Sequence, residues 1–313
     1  MDSPDSAWRS LPLDLARHAA SARFSDASSR KGLDTIARLC DAAGVNYPGG
    51  KNGCGTWQKI INLMPPHEVY IEPFLGSGAV MRRKRPARLN VGIDLDPEAV
   101  RAVSAAIDFS DDERSHQDWK NGILEPIGRL DDFNDAAGTM ATIDGLDDGG
   151  PWFRLVVGDA FNFFRSFVPT GKELLYLDPP YLMETRSSGP IYRHELTELD
   201  HGRLLDLIRG FHCMVLLSGY WSRLYADALK GWNSIHFPAM TRGGTLAVEW
   251  LWFNYPPPVE LHDYRVLGNN FREREKLNRR IRRWRARLDR MEDLERQALL
   301  SAINDLPGPH RLA

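Results

Sequence analysis

The chain has 313 residues, 42% of them hydrophobic and 26% charged, which is enough apolar material for a sizeable buried core and excludes a largely disordered or fibrous chain. Three scattered cysteines (Cys40, Cys54 and Cys213) exclude a disulfide framework and offer no zinc-ligand spacing. A formal net charge of −2 gives, as a total, no hint of a polyanionic partner.

In chain order, residues 1–44 read as a polar, Ser/Ala/Arg-rich arm with one helix around Leu33–Ala43. No apolar run behind a basic start reads as a signal peptide, and no window approaches a membrane span, so a reduced, cytoplasmic setting is expected. Short apolar runs then recur at Val69–Glu72, Leu89–Ile93, Phe153–Val157, Leu174–Leu177, Met214–Leu217 and Ala247–Phe253. They do not alternate, as expected of central parallel strands covered on both faces. Helical patterns lie between them, such as Asp200–Gly210, where Leu204, Leu205 and Ile208 share a face. This alternation predicts a doubly wound α/β sheet, with ligands beyond the carboxyl ends of its strands. Residues 105–150 break the pattern: their net charge is −9, and they end in the loop-forming DGLDDGGPW. Beyond Tyr255 and a Pro-Pro-Pro break comes a charged tail, with a net charge of +7 over residues 272–290.

Two motifs at strand ends carry chemistry. In YIEPFLGSGAV (70–80), a strand runs into Glu72, Pro73, Phe74, Gly76, Ser77 and Gly78, where glycines let backbone approach a ligand. The next strand ends at Asp94-Leu95-Asp96, and an acidic side chain there suits the two hydroxyls of a ribose. Asp96 equally suits capping of a helix that begins at Pro97. In LLYLDPPY (174–181), the prolines must end the strand, delivering Asp178, Pro179, Pro180 and Tyr181 onto a stiff loop. A carboxylate, aimed carbonyls and an aromatic face within four residues suit a planar base with an exocyclic amine.

With these motifs in order, the chain resembles the Dam-like class of N6-adenine DNA methyltransferases over roughly Tyr47–Tyr255. YPGGK, with Tyr47 and Lys51, resembles the family's N-terminal cofactor motif. EPFLGSG resembles its glycine loop, Asp94 its ribose contact, and GDAFNFF, through Asp159 and Ala160, its adenine-contacting segment. The resemblance implies a Rossmann-like catalytic domain over residues 45–262 that binds S-adenosyl-L-methionine. Asp178, Pro179, Pro180 and Tyr181 become the catalytic motif, with Tyr181 stacked on a flipped adenine. Double-stranded DNA is the implied partner, in a nucleoid-associated protein of bacterial or phage origin. RNA adenine and the N4 amine of cytosine remain open as substrates for the same chemistry, as does a non-catalytic DNA-binding descendant of the fold.

The chain departs from the family where DNA should be read. The −9 segment, taken as an insertion over 105–152 at the target-recognition position, is a poor phosphate grip. The tail, 263–313, compensates. Leu277, Ile281, Trp284 and Leu288 form one apolar stripe among arginines, and Lys276, Arg279, Arg280, Arg283 and Arg287 are candidate phosphate contacts. Self-association through this stripe is the competing reading. Arg242, on a glycine loop, is either a further nucleic-acid contact or a solvated arginine. Ser218–Trp221 (SGYW) is either a target-base wall or a packed turn, and Trp250 and Trp252 share a strand face. His194 and His201 lack metal-ligand spacing.

Overall fold

The computed structural model describes residues 51, 55–108, 151–186, 189–241 and 245–306. The helix expected at 33–43, Tyr47, nearly all of the acidic insertion and Arg242 lie outside these residues.

Seven strands form one sheet in the order β3-β2-β1-β4-β5-β7-β6. They are β1 (Val69–Glu72), β2 (Leu89–Asp94), β3 (Trp152–Val157), β4 (Glu173–Leu177), β5 (Met214–Tyr220), β6 (Asn233–Met240) and β7 (Leu246–Phe253). The first five pair in parallel, while β7 runs antiparallel to both β5 and β6. Every residue of β1, β2 and β4 is buried, which is why these strands read as continuous apolar runs.

Alternate side chains feed two cores. Val69, Ile71, Val91, Ile93, Leu175 and Leu177 meet α3 (Ala160–Ser166), α4 (Glu198–Arg209) and α5 (Arg223–Ala228) through Phe163, Leu204 and Tyr225. Tyr70, Leu174 and Tyr176 point to the opposite core, with α1 (Thr56–Ile61) and α2 (Pro97–Asp108) contributing Ile60, Val100 and Val103. Helices thus cover both faces of the sheet, giving the doubly wound, Rossmann-like arrangement that the strand pattern predicts. Strand order reverses between β1 and β4, so their carboxyl ends splay apart and open a crevice.

Three details correct the sequence reading. Ser218-Gly219-Tyr220 does not form a turn after β5 but continues it, because β7 extends the pairing through Ser218↔Leu251 and Tyr220↔Glu249. Ser218 is fully buried and shares a hydrogen bond with Tyr176 across 2.9 Å, so it walls no base pocket. Strand β6 had no apolar signature; it lies at the sheet edge, buries only Phe237, and tolerates Pro238 there because one side of an edge strand needs no ladder donor. Trp250 and Trp252 do share a face and stack with centroids 5.7 Å apart.

Beyond the sheet, the chain stays tied to the domain as far as Arg274. Buried Asp263 accepts from the Arg85 amide at 2.7 Å, and Asn62 donates to the Val266 and Gly268 carbonyls. Then α6 (Phe271–Leu288) and α7 (Asp293–Asn304) leave it: α6 buries only Arg274 and α7 buries nothing. No helix among the described residues is long and apolar enough to cross a membrane.

Candidate active site

A cleft of about 430 Å³ opens at the β1/β4 crevice, a volume in the range of small-molecule sites. Lys51, Glu72, Pro73, Phe74, Gly76, Ser77, Asp94, Leu95, Asp159, Ala160, Asp178 and Pro180 all line it. Apart from Lys51, which precedes α1, these residues come from four strand ends, and the topology brings them together. Gly78, Pro179 and Tyr181 are described but do not line the cleft.

The glycine loop is held by its own backbone and by β2. Gly76 and Gly78 adopt φ of +49° and +57°, where a side chain is strained. A Cβ on Gly78 would lie 3.0 Å from both γ-carbons of Val103 on α2, so Gly78 works by letting α2 pack close rather than by touching ligand. Gly78→Ala is expected to cost about 1–3 kcal/mol of stability. It should also weaken cofactor binding by displacing the loop; a thermal melt and a cofactor titration check both, and unchanged values for both would refute the role.

Asp94 has a task that its sequence position did not disclose. Its Oδ2 accepts from the Gly76 amide at 2.7 Å and its Oδ1 from the Asp96 amide at 2.8 Å, so it clamps the glycine loop to the end of β2. Each carboxylate oxygen keeps a second lone pair, so two ribose hydroxyls still find acceptors. Asp96 caps α2 ahead of Pro97, accepting from the Glu98 amide at 3.0 Å. Asp159 caps α3, accepting from the Phe161 amide at 3.0 Å, while also facing the cleft. Glu72 accepts from the Tyr70 hydroxyl and the Met81 amide; burial pushes its carboxyl up to about 8.

The charged centre is compact. Lys51 Nζ donates to Asp178 Oδ1 and to the Tyr181 hydroxyl, each at 2.6 Å, and lies 3.5 Å from Glu249 Oε1. The Tyr181 hydroxyl in turn donates to Glu249. Burial by itself would lower the Lys51 pKa, but Asp178 and Glu249 more than reverse this, so the ammonium stays charged. Burial also raises the carboxyls of Asp178 and Glu249, and Lys51 opposes that rise. Glu249 is the functional candidate that sequence reasoning missed: it sits in an otherwise apolar strand, and the only signal was that incongruity in LAVEWLWF.

Tyr181 corrects a second expectation. It is only 7% exposed; its hydroxyl is tied down and its ring packs edge-on against Tyr220 at 4.6 Å. The neighbouring aromatics with open surface are half-buried Tyr220 and Trp221, which is 49% exposed.

A segment that follows Asp178–Tyr181 in the chain also lines the cleft, through Tyr192, Arg193, His194, Glu195 and Leu196. Burial works to raise the Glu195 carboxyl, but Arg186 at 2.6 Å and the Ile191 and Tyr192 amides hold it below the usual range. Arg193 reaches Asp96 at 2.9 Å and so bridges this segment to the start of α2. His201, by contrast, is buried and bonded to Tyr225, a packing role.

No family model matches the sequence, and no curated protein matches it. Among solved structures, a methyltransferase from Geobacter sulfurreducens is 11% identical, with 79% of this chain and 98% of that one covered at a TM-score of 0.35. TrmK from M. capricolum, in complex with S-adenosyl-homocysteine, is 8% identical over 79% and 93% of the two chains, with a TM-score of 0.32. TrmN from Thermus thermophilus is 16% identical over 63% and 46%, with a TM-score of 0.34. Likenesses this distant leave the functional reading to the cleft itself.

Proposed function

We propose that the chain is a methyltransferase that uses S-adenosyl-L-methionine to methylate the N6 amine of a flipped adenine in double-stranded DNA. The observation that carries this reading is the position of Asp178, in the wall of the same cleft as the Gly76 loop and the Asp94 carboxylate. One site then joins an acceptor for an amine to a holder for a nucleoside-type cofactor. The cleft fits that cofactor by its chemistry: Asp94 suits the ribose, Phe74, Leu95 and Phe161 offer apolar cover for an adenine, and the loop backbone admits close approach.

When bound, the cofactor supplies an electrophilic methyl group on sulfur. Asp178 and the Pro179 carbonyl hold the adenine amine and draw its lone pair out of conjugation. With the cofactor held by the Gly76 loop and Asp94, the amine would take that methyl, an N–C bond replacing the C–S bond whose electrons would stay on sulfur. The nitrogen sheds one proton through Asp178 to solvent. Such a step depends on positioning and electrostatics. The base approaches Asp178 from the side away from the cofactor, beside Tyr181 and Tyr220, after leaving the duplex at a cost of about a few kcal/mol.

Labelled S-adenosyl-L-methionine incubated with unmethylated DNA or RNA, followed by nucleoside analysis, tests the reading. N6-methyladenine in DNA supports it; N4-methylcytosine or methylated RNA adenosine assigns the other substrate. Cofactor binding without transfer to any of them overturns catalysis and favours a non-catalytic binding protein.

Helix α6 supplies the phosphate grip in this proposal. Lys276, Arg279, Arg280, Arg283 and Arg287 are all exposed, and Trp284 is 55% exposed. Replacing the five cations by Gln is expected to reduce the slope of log affinity against log salt by about 0.9 for each phosphate that is no longer neutralised. Unchanged slopes, with a shift in sedimentation, would make the helix a self-association seam instead. Substitution tests the helix better than removal of the tail, because residues up to Arg274 brace the domain.

A further inference from the structure

Glu249 lies in the middle of β7, opposite Tyr220 of β5 and Phe237 of β6, and is 4% exposed. Around it the strand reads Leu246, Ala247, Val248, Trp250, Leu251, Trp252 and Phe253. A carboxylate in such a strand carries a desolvation cost that only close partners offset. Among the described residues its hydrogen-bond and ion-pair partners are Tyr181 and Lys51, and both belong to the charged centre at Asp178. The sheet itself gains nothing that a Gln, Thr or Val at this place would not supply. The cost is therefore matched by a task at the site.

The Lys51 ammonium is shared among groups that include Asp178 Oδ1 at 2.6 Å, the Tyr181 hydroxyl at 2.6 Å and Glu249 Oε1 at 3.5 Å. With Glu249 ionised, the ammonium is shared between two carboxylates. Without it, more of the positive charge turns on Asp178 and draws density from the carboxylate that must accept the amine. Glu249 also accepts the hydrogen bond of the Tyr181 hydroxyl, which leaves the phenol oxygen as an acceptor for Lys51. We propose that Glu249 is a positioning residue for methyl transfer, holding Lys51 and Tyr181 so that Asp178 keeps one oxygen available to the target amine. This rests on the methyltransferase reading above and extends it to a residue on the antiparallel end of the sheet.

The test compares wild type, Glu249→Gln, Tyr181→Phe and the double variant for single-turnover methyl transfer, cofactor dissociation constant and thermal midpoint. Glu249→Gln should slow transfer about 100-fold while leaving the cofactor dissociation constant within about threefold, an effect that merely loosening the fold would not produce. The double variant should lose less than the product of the two single losses, because both act through Lys51. A wild-type rate in Glu249→Gln overturns the proposal, as does a loss that falls equally on cofactor binding and thermal midpoint, or strict multiplicativity with Tyr181→Phe. If Glu249→Gln does not fold, Tyr181→Phe alone decides: it removes the link to Glu249, and a full rate in it overturns the proposal. A wild type inactive on every nucleic acid overturns the methyltransferase reading itself, a result distinct from an active wild type with an unaffected variant.

Discussion

Asp178→Ala is expected to abolish methyl transfer, by about a thousandfold or more, in a protein that still folds and still binds cofactor. The magnitude follows from the role. An amine whose lone pair is delocalised gains its nucleophilicity from preorganised acceptors, and removing one preorganised electrostatic partner typically costs about 10²–10³ in rate; here the same carboxylate also places the nitrogen. The fold survives because Lys51, though it loses its 2.6 Å partner, keeps Glu249 at 3.5 Å and the Tyr181 hydroxyl. Single-turnover transfer, cofactor titration and a thermal melt measured on one preparation check this. Retained transfer in a folded variant would remove Asp178 from the chemistry and the central support from the proposed function.

Lys51→Met should be the most destabilising change in the site. It leaves Asp178 and Glu249 buried together without their cation, and breaking a buried pair from one side costs about 3–5 kcal/mol, or roughly 10 °C in Tm. The deficit is pH-dependent, with a definite sign. Burial already raises both carboxyls above their ordinary values of 3.8 and 4.5, and loss of Lys51 raises them further. A group whose folded pKa is raised favours the fold below its unfolded pKa and loses that advantage as pH climbs. The gap between wild type and Lys51→Met should therefore narrow towards pH 4 and widen towards pH 7. Thermal midpoints across that range check it; a gap independent of pH would mean that Lys51 acts through packing of its methylenes and not through its charge. Arg at this position is no substitute, because its planar fork cannot reproduce three contacts around one nitrogen.

The strands and the cleft differ in how far they could be read in advance. Strands β1, β2 and β4 were legible because burial on both faces leaves unbroken apolar runs, β3, β5 and β7 because they are apolar despite partial exposure, and each of these six starts within one residue of the expected place. Strand β6 was not, because an edge strand with one buried side chain has no such run to show. In the cleft, the glycine loop, Asp94, Asp159 and Asp178 were legible because a strand that stops at a Gly, Pro or Asp must release its next residues into the crevice. Tyr181 was misjudged, because proximity to Asp178 along the chain says nothing about which way a ring packs. Glu249 was invisible as a site residue, lying far in sequence from Lys51, Asp178 and Tyr181.

Local sequence therefore determined the order of the parallel strands and the residue types at each strand end, since backbone stiffness and apolar pattern act over a few residues. It also revealed that the net charge of −2 conceals a −9 segment and a +7 helix. Only the tertiary structure decided which strand ends become neighbours, because that depends on the reversal of strand order between β1 and β4. Only it placed Lys51 between two carboxylates, because a buried ammonium is held by whatever anions the whole fold brings within about 4 Å, however distant they are along the chain.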